Sequence, residues 1–132
     1  MILGKGATGT GATGHDPMGP NRTDLRRAFN TITSVHRRWF CYVFDGPASA
    51  STLPIEGKTG SGDSGGPALV EVDDQWTLAG LAAWGFIHGD VRTVRPGLYG
   101  QFTCNVRLSH YGEWIEGVMS GRPESGAVTR TP

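Results

Sequence analysis

Ser64 stands in the run Gly62-Asp63-Ser64-Gly65-Gly66-Pro67, a combination of residue types suited to nucleophilic chemistry. A serine hydroxyl attacks poorly at neutral pH unless a base removes its proton and fixed donors hold the charge that develops on the attacked carbonyl. Glycines permit a tight turn that aims two backbone N–H groups at one oxygen. Gly62, Asp63 and Ser64 would form such an oxyanion hole, with the amides of Gly62 and Ser64 as donors and the Ser64 hydroxyl beside them. The plainer alternative is a glycine-rich turn whose serine only caps the backbone. Six specified residues in a row argue against chance.

The elements that must position this turn read as short strands. Met1 to Lys5 predicts a first strand, and Gly6 to Pro20, rich in Gly, Thr and Pro, a loop. Leu25 to Val35 predicts a second strand, with Phe29, Thr31 and Thr33 on one face, and Arg37 to Phe44 a third. Pro67 to Val72 and Gln75 to Trp84 predict a buried hairpin across Asp73-Asp74, and Gly97 to Leu108 a sixth strand. Ser109 offers an N-cap to a closing helix in which Tyr111, Trp114, Ile115 and Met119 fall at helical spacing, and Gly121 offers a stop. The expected fold is therefore all-β with a C-terminal α-helix over residues 1–121, followed by a polar, disordered tail over 122–132. The 132 residues fit one domain able to bury roughly two-thirds of its unfolded surface. The 21 glycines suit a fold with many turns. Balanced charge, 12 against 12, gives no case for nucleic acid or a membrane surface, and no run of 18 apolar residues argues for a membrane span.

The serine turn, the apolar runs after it and Arg107-Leu108-Ser109-His110-Tyr111-Gly112-Glu113-Trp114-Ile115 follow one another in an order that resembles the C-terminal half of the trypsin-like (chymotrypsin-fold) serine proteases. Ile2-Leu3-Gly4-Lys5-Gly6 resembles the glycine-bracketed strand that opens that family's second barrel, with Lys5 where a Trp is usual, and Leu53-Pro54-Ile55-Glu56-Gly57 resembles secreted bacterial members. The resemblance covers nearly the whole chain but half of the family's protein. It implies a six-stranded antiparallel Greek-key barrel and a serine-type endopeptidase acting by acyl-enzyme formation on a polypeptide substrate. It implies no cofactor and no metal, a secreted or extracellular location, and a leader carried upstream. The catalytic His and Asp lie on the family's N-terminal barrel, which would have to come from a partner chain or a self-associated copy. None of His15, His36, His88 and His110 sits in the Ala-x-His context of the family's base, and each reads as a surface or capping histidine. The competing class is a non-catalytic barrel that binds a protein or peptide.

Carried over by position, the resemblance assigns substrate binding to Lys58, Ser61, Ala83, Trp84 and Gly85. Ala83, Trp84 and Gly85 would pair with an extended peptide, although Ala83 lacks the hydroxyl usual there. Lys58, six residues before Ser64, lies at the base of the primary pocket. Turned inward it would favour an acidic or polar side chain; the blander outcome is that it snorkels outward or pairs with Glu56. Asp63 is implied to pair with a freed N-terminal amine. Cys41 and Cys104 fall in the third and sixth strands, which run side by side in the resembled fold. A cross-strand bridge and two buried thiols are both open, with the thiols favoured.

Two glycine patterns invite a different chemistry. Gly4 to Gly9 and Gly9 to Gly14 each satisfy G-x-G-x-x-G, but the Pro17 and Pro20 that follow cannot open the helix a dinucleotide site needs. Gly57-Lys58-Thr59 resembles the end of a P-loop, with Thr52 where the leading Gly belongs. The arginines at 22, 26, 27, 37 and 38 read as a solvated strand face.

Overall fold

The computed structural model describes residues 1–20, 23–86, 90 and 94–121. The expected tail, His88 and Arg22 lie outside the described residues. Among the described residues nine strands form: β1 (Ile2–Gly4), β2 (Thr8–Thr10), β3 (Gly14–Asp16), β4 (Arg26–Ala28), β5 (Ser34–Val35), β6 (Trp39–Val43), β7 (Pro67–Val72), β8 (Gln75–Phe86) and β9 (Phe102–Arg107). A 3₁₀ turn, Leu108–His110, leads into α1 (Gly112–Met119). Seven strands make one sheet in the order β4-β1-β7-β8-β9-β6-β5, every paired neighbour antiparallel, while β2 and β3 pair by themselves.

The expected six-stranded barrel does not close among the described residues. The single strand expected over Leu25 to Val35 is broken into β4 and β5, which form the two opposite edges of the sheet. The segment between them pairs elsewhere: Phe29 N donates to Ile55 O at 3.1 Å, Gly57 N donates back to Phe29 O at 3.1 Å, and Asn30 Nδ2 donates to Val43 O at 2.8 Å. A ladder bond satisfied by a loop is unavailable to a neighbouring strand, so the ring stays open.

The loop expected over Gly6 to Pro20 contains the β2–β3 hairpin, registered Thr8↔Asp16 and Thr10↔Gly14. Gly9 permits it, because a Cβ there would come within 2.2 Å of the Gly14 carbonyl oxygen. Among the described residues no helix follows these glycines, in keeping with the prolines. The hairpin across Asp73-Asp74 forms, with Val72↔Gln75 in register and both turn residues at positive φ (50° and 59°), but the expectation that it is buried is corrected: most of β8 and the end of β7 are exposed, because the core is too small to cover them. The last helix begins after Tyr111 rather than under a Ser109 cap, since Ser109 lies within the preceding 3₁₀ turn, where its Oγ accepts from Arg107 Nε at 2.8 Å. Gly121 at φ 66° ends it.

The core is small. Ile2, Phe40, Tyr42 and Ala68 form it, with Ala28 and Ala79 packed alongside. Cys41 and Cys104 stand directly opposite on β6 and β9 and are joined by a disulfide, with Cα atoms 4.1 Å apart. The favoured expectation of free thiols is thereby corrected: antiparallel register sets the two cysteines directly opposite each other on neighbouring strands, within reach of a bond.

Candidate active site

The serine turn is held by backbone bonds on both sides. Gly65 N donates to Ala82 O at 2.7 Å and Ala82 N donates to Gly66 O at 2.9 Å, which docks the residues after Ser64 onto β8. Gly66 N closes back on Asp63 O at 2.9 Å, and Asp63 N on Gly60 O at 3.1 Å. Gly62 and Gly65 take φ of 97° and 78°, where a side chain is strained. Among the described residues the amides of Gly62 and Ser64 donate to no backbone or side-chain acceptor, and the exposed Ser64 hydroxyl has no hydrogen-bond partner.

Asp63 ties this turn to the first strand. Its carboxylate accepts from Gly6 N at 2.7 Å and from Gly60 N at 2.8 Å. The glycine bracket around Lys5 has its reason here: a Cβ on Gly4 or Gly6 would fall 2.1 Å or 2.7 Å from the Asp63 carboxylate. The Met1 ammonium donates to Leu69 O at 2.8 Å.

β8 carries a bulge where it passes the serine. Ala82 stands opposite Asn105 and Trp84 opposite Cys104, so Ala83 is the extra residue. Bulges re-aim side chains and bend the strand that carries them. Lys58, Ser61, Ser64, Ala83, Trp84 and Gly85 line one cavity of about 180 Å³. The residues assigned to substrate binding are thus brought together beside Ser64 from two segments distant in sequence. Trp84, about half exposed, packs edge-on against Trp39 and Phe102, with ring centroids 5.9 Å apart in both pairs.

Lys58 is half-buried and does not pair with Glu56. The Glu56 carboxylate is taken by Asp45 N and Leu53 N, each at 2.7 Å, so that alternative is corrected. Burial pushes the Lys58 ammonium below the ordinary lysine range. His15, read from sequence as a surface histidine, reaches Ser61: its Nε2 lies 3.0 Å from Ser61 Oγ. Burial, and next the Lys58 charge, lower the His15 pKa, against the opposing pull of Asp63 and Asp16. This contact joins residues 46 apart and carries no local sequence signal. The Asp63 clamp was legible in principle, through glycines spaced around a carboxylate.

Comparison with known proteins places the chain beside serine proteases. It is similar to human (Homo sapiens) serine protease 41, 30% identical over 122 residues that cover 82% of this chain and 36% of that protein. It is also similar to mouse (Mus musculus) tryptase, 41% identical over 54 residues that cover 41% of this chain and 17% of that protein. This homology supports a trypsin-like fold. No protein-family model matches the chain. The chain spans well under half the length of these curated relatives. A mostly β architecture with one short C-terminal helix is consistent with that fold, and the distant similarity points to a protease-related domain. Among the described residues no group of three metal-ligating side chains occurs, and no helix is long and apolar enough to cross a membrane.

Proposed function

We propose that this chain carries the nucleophile half of a serine-type endopeptidase related to secreted enzymes, and works with a companion β-barrel that supplies His and Asp. Ser64 Oγ would attack the scissile carbonyl carbon as the companion His takes its proton; that proton then leaves on the departing amine, and water hydrolyses the acyl-enzyme. The amides of Gly62 and Ser64 would hold the oxyanion, and the edge at Ala83, Trp84 and Gly85 would pair with the peptide. A disulfide fits an oxidising compartment, hence a location outside the cytoplasm.

The observation that carries this reading is the cavity shared by Lys58, Ser61, Ser64 and the β8 bulge. Among the described residues no histidine contacts Ser64, which favours as second reading a peptide-binding module that cleaves nothing. A fluorophosphonate decides between them. The chain alone should label at Ser64 at only a residual rate, and addition of the companion barrel should raise that rate by about 10³-fold or more. Rapid labelling of the chain alone would place the base within it and overturn the half-site reading. Labelling that stays slow in the complex would favour the binding module.

A further inference from the structure

Lys58 lines the cavity beside Ser64, half removed from water, and no carboxylate answers it among the described residues. Glu56 is occupied by the amides of Asp45 and Leu53, and Asp63 by those of Gly6 and Gly60. An ammonium withdrawn from water without a counter-ion is costly, and an anion entering the cavity would relieve that cost.

Ser61 shares the cavity and has a defined partner in His15. His15 Nδ1 is enclosed, meets no hydrogen-bond acceptor or donor among the described residues, and packs on Gly97, where even a Cβ would come 3.2 Å from it. A neutral imidazole carries one proton. On Nδ1 it would be a buried N–H without an acceptor, the rarer kind of orphan; on Nε2 it donates to Ser61 Oγ. With its oxygen accepting from His15, the Ser61 hydroxyl is left to donate its own hydrogen, and its side chain is exposed at the cavity.

We propose that this cavity is a carboxylate-binding site in which the Lys58 ammonium supplies the charge and the Ser61 hydroxyl, oriented by His15, supplies the second donor. Two donors match the two oxygens of one carboxylate. His15 is a positioning residue in this arrangement. The name of the substrate class rests on the endopeptidase reading: if the cavity is the pocket of a peptidase, the chain preceding the scissile bond ends in an acidic side chain. The binding itself does not depend on catalysis.

Titration of the ¹⁵N-labelled chain with N-acetyl-glutamate amide, against its neutral isostere N-acetyl-glutamine amide, tests this directly. The glutamate ligand should shift the amides of Lys58 to Ser64 and Ala83 to Gly85, and the glutamine ligand should bind about tenfold more weakly or worse. Lys58→Met should abolish the preference, and Ser61→Ala, a change on an exposed side chain, should weaken glutamate binding. His15→Phe keeps the ring and loses the donor; His15→Gln places an amide N–H where Nε2 stood. The donor role therefore requires Gln to retain binding that Phe loses, whereas a packing role would give the reverse order. Equal binding of the two ligands, an unaffected Lys58→Met or the reversed order at His15 would each overturn the proposal. No bond is cleaved in this measurement, so the assignment of Ser64 and that of the carboxylate site fail independently.

Discussion

Asn105 on β9, in register with Phe40 on one side and Ala82 on the other, is fully enclosed, and neither atom of its side-chain amide meets a partner among the described residues. An amide stripped of water without replacement bonds destabilises the fold by about 1–3 kcal/mol. Asn105→Leu, close in shape and apolar, is therefore expected to raise the stability in urea by about that amount with the denaturant slope unchanged. His15 bears on stability with a definite sign. Its folded pKa lies below the ordinary 6.5, so below that value the unfolded chain binds more protons than the folded one. Stability is fully present above pH 6.5 and declines as pH falls toward the lowered folded value. Melting temperatures across this window should show the decline, and His15→Gln should remove its part of it.

At the scale of elements, the disulfide between β6 and β9 closes a loop of 63 residues. In the chain-entropy account a loop of that size stabilises by about 4 kcal/mol. The Cys41→Ala/Cys104→Ala double variant should lose about that much in urea unfolding, an effect absent if the bridge only mirrors a well-packed pair. Elements written in local chemistry are legible in the sequence: the hairpin at Asp73-Asp74, the glycine turn at Ser64 and the stop at Gly121 each depend on residues a few positions apart. What escapes it is long-range. Nothing near Phe29 announces that its backbone pairs with residues 55–57, so one expected strand became two. The β2–β3 hairpin escapes because its glycines read as loop, although they serve there to let two strands approach. Of the site, Lys58, Ser61 and β8 line one cavity with Ser64 and are singled out by position, whereas the His15 contact with Ser61 joins β3 to a segment 46 residues away and has no local signal.

For the molecule as a whole, the small core leaves much apolar surface uncovered. Ile32, Val35, Leu78 and Ile115 line an open depression of about 580 Å³, and Trp76 and Val72 are exposed on the neighbouring hairpin. Such surface on a lone domain promotes association. The edges matter more than the faces, because an unpaired edge templates pairing with another chain. Both outer strands, β4 and β5, belong to the single stretch 26–35. One local detachment of that stretch therefore bares β1 and β6 together. Amide protons of Arg26–Ala28 and Ser34–Val35 should exchange with deuterium at one common opening free energy, well below that of β8. Thr31→Gly, exposed and between the two, should speed both sets equally. Independent rates would mean two separate hinges. A shared rate makes this stretch a clasp on the sheet, whose release offers two sticky borders to a second copy at the same instant.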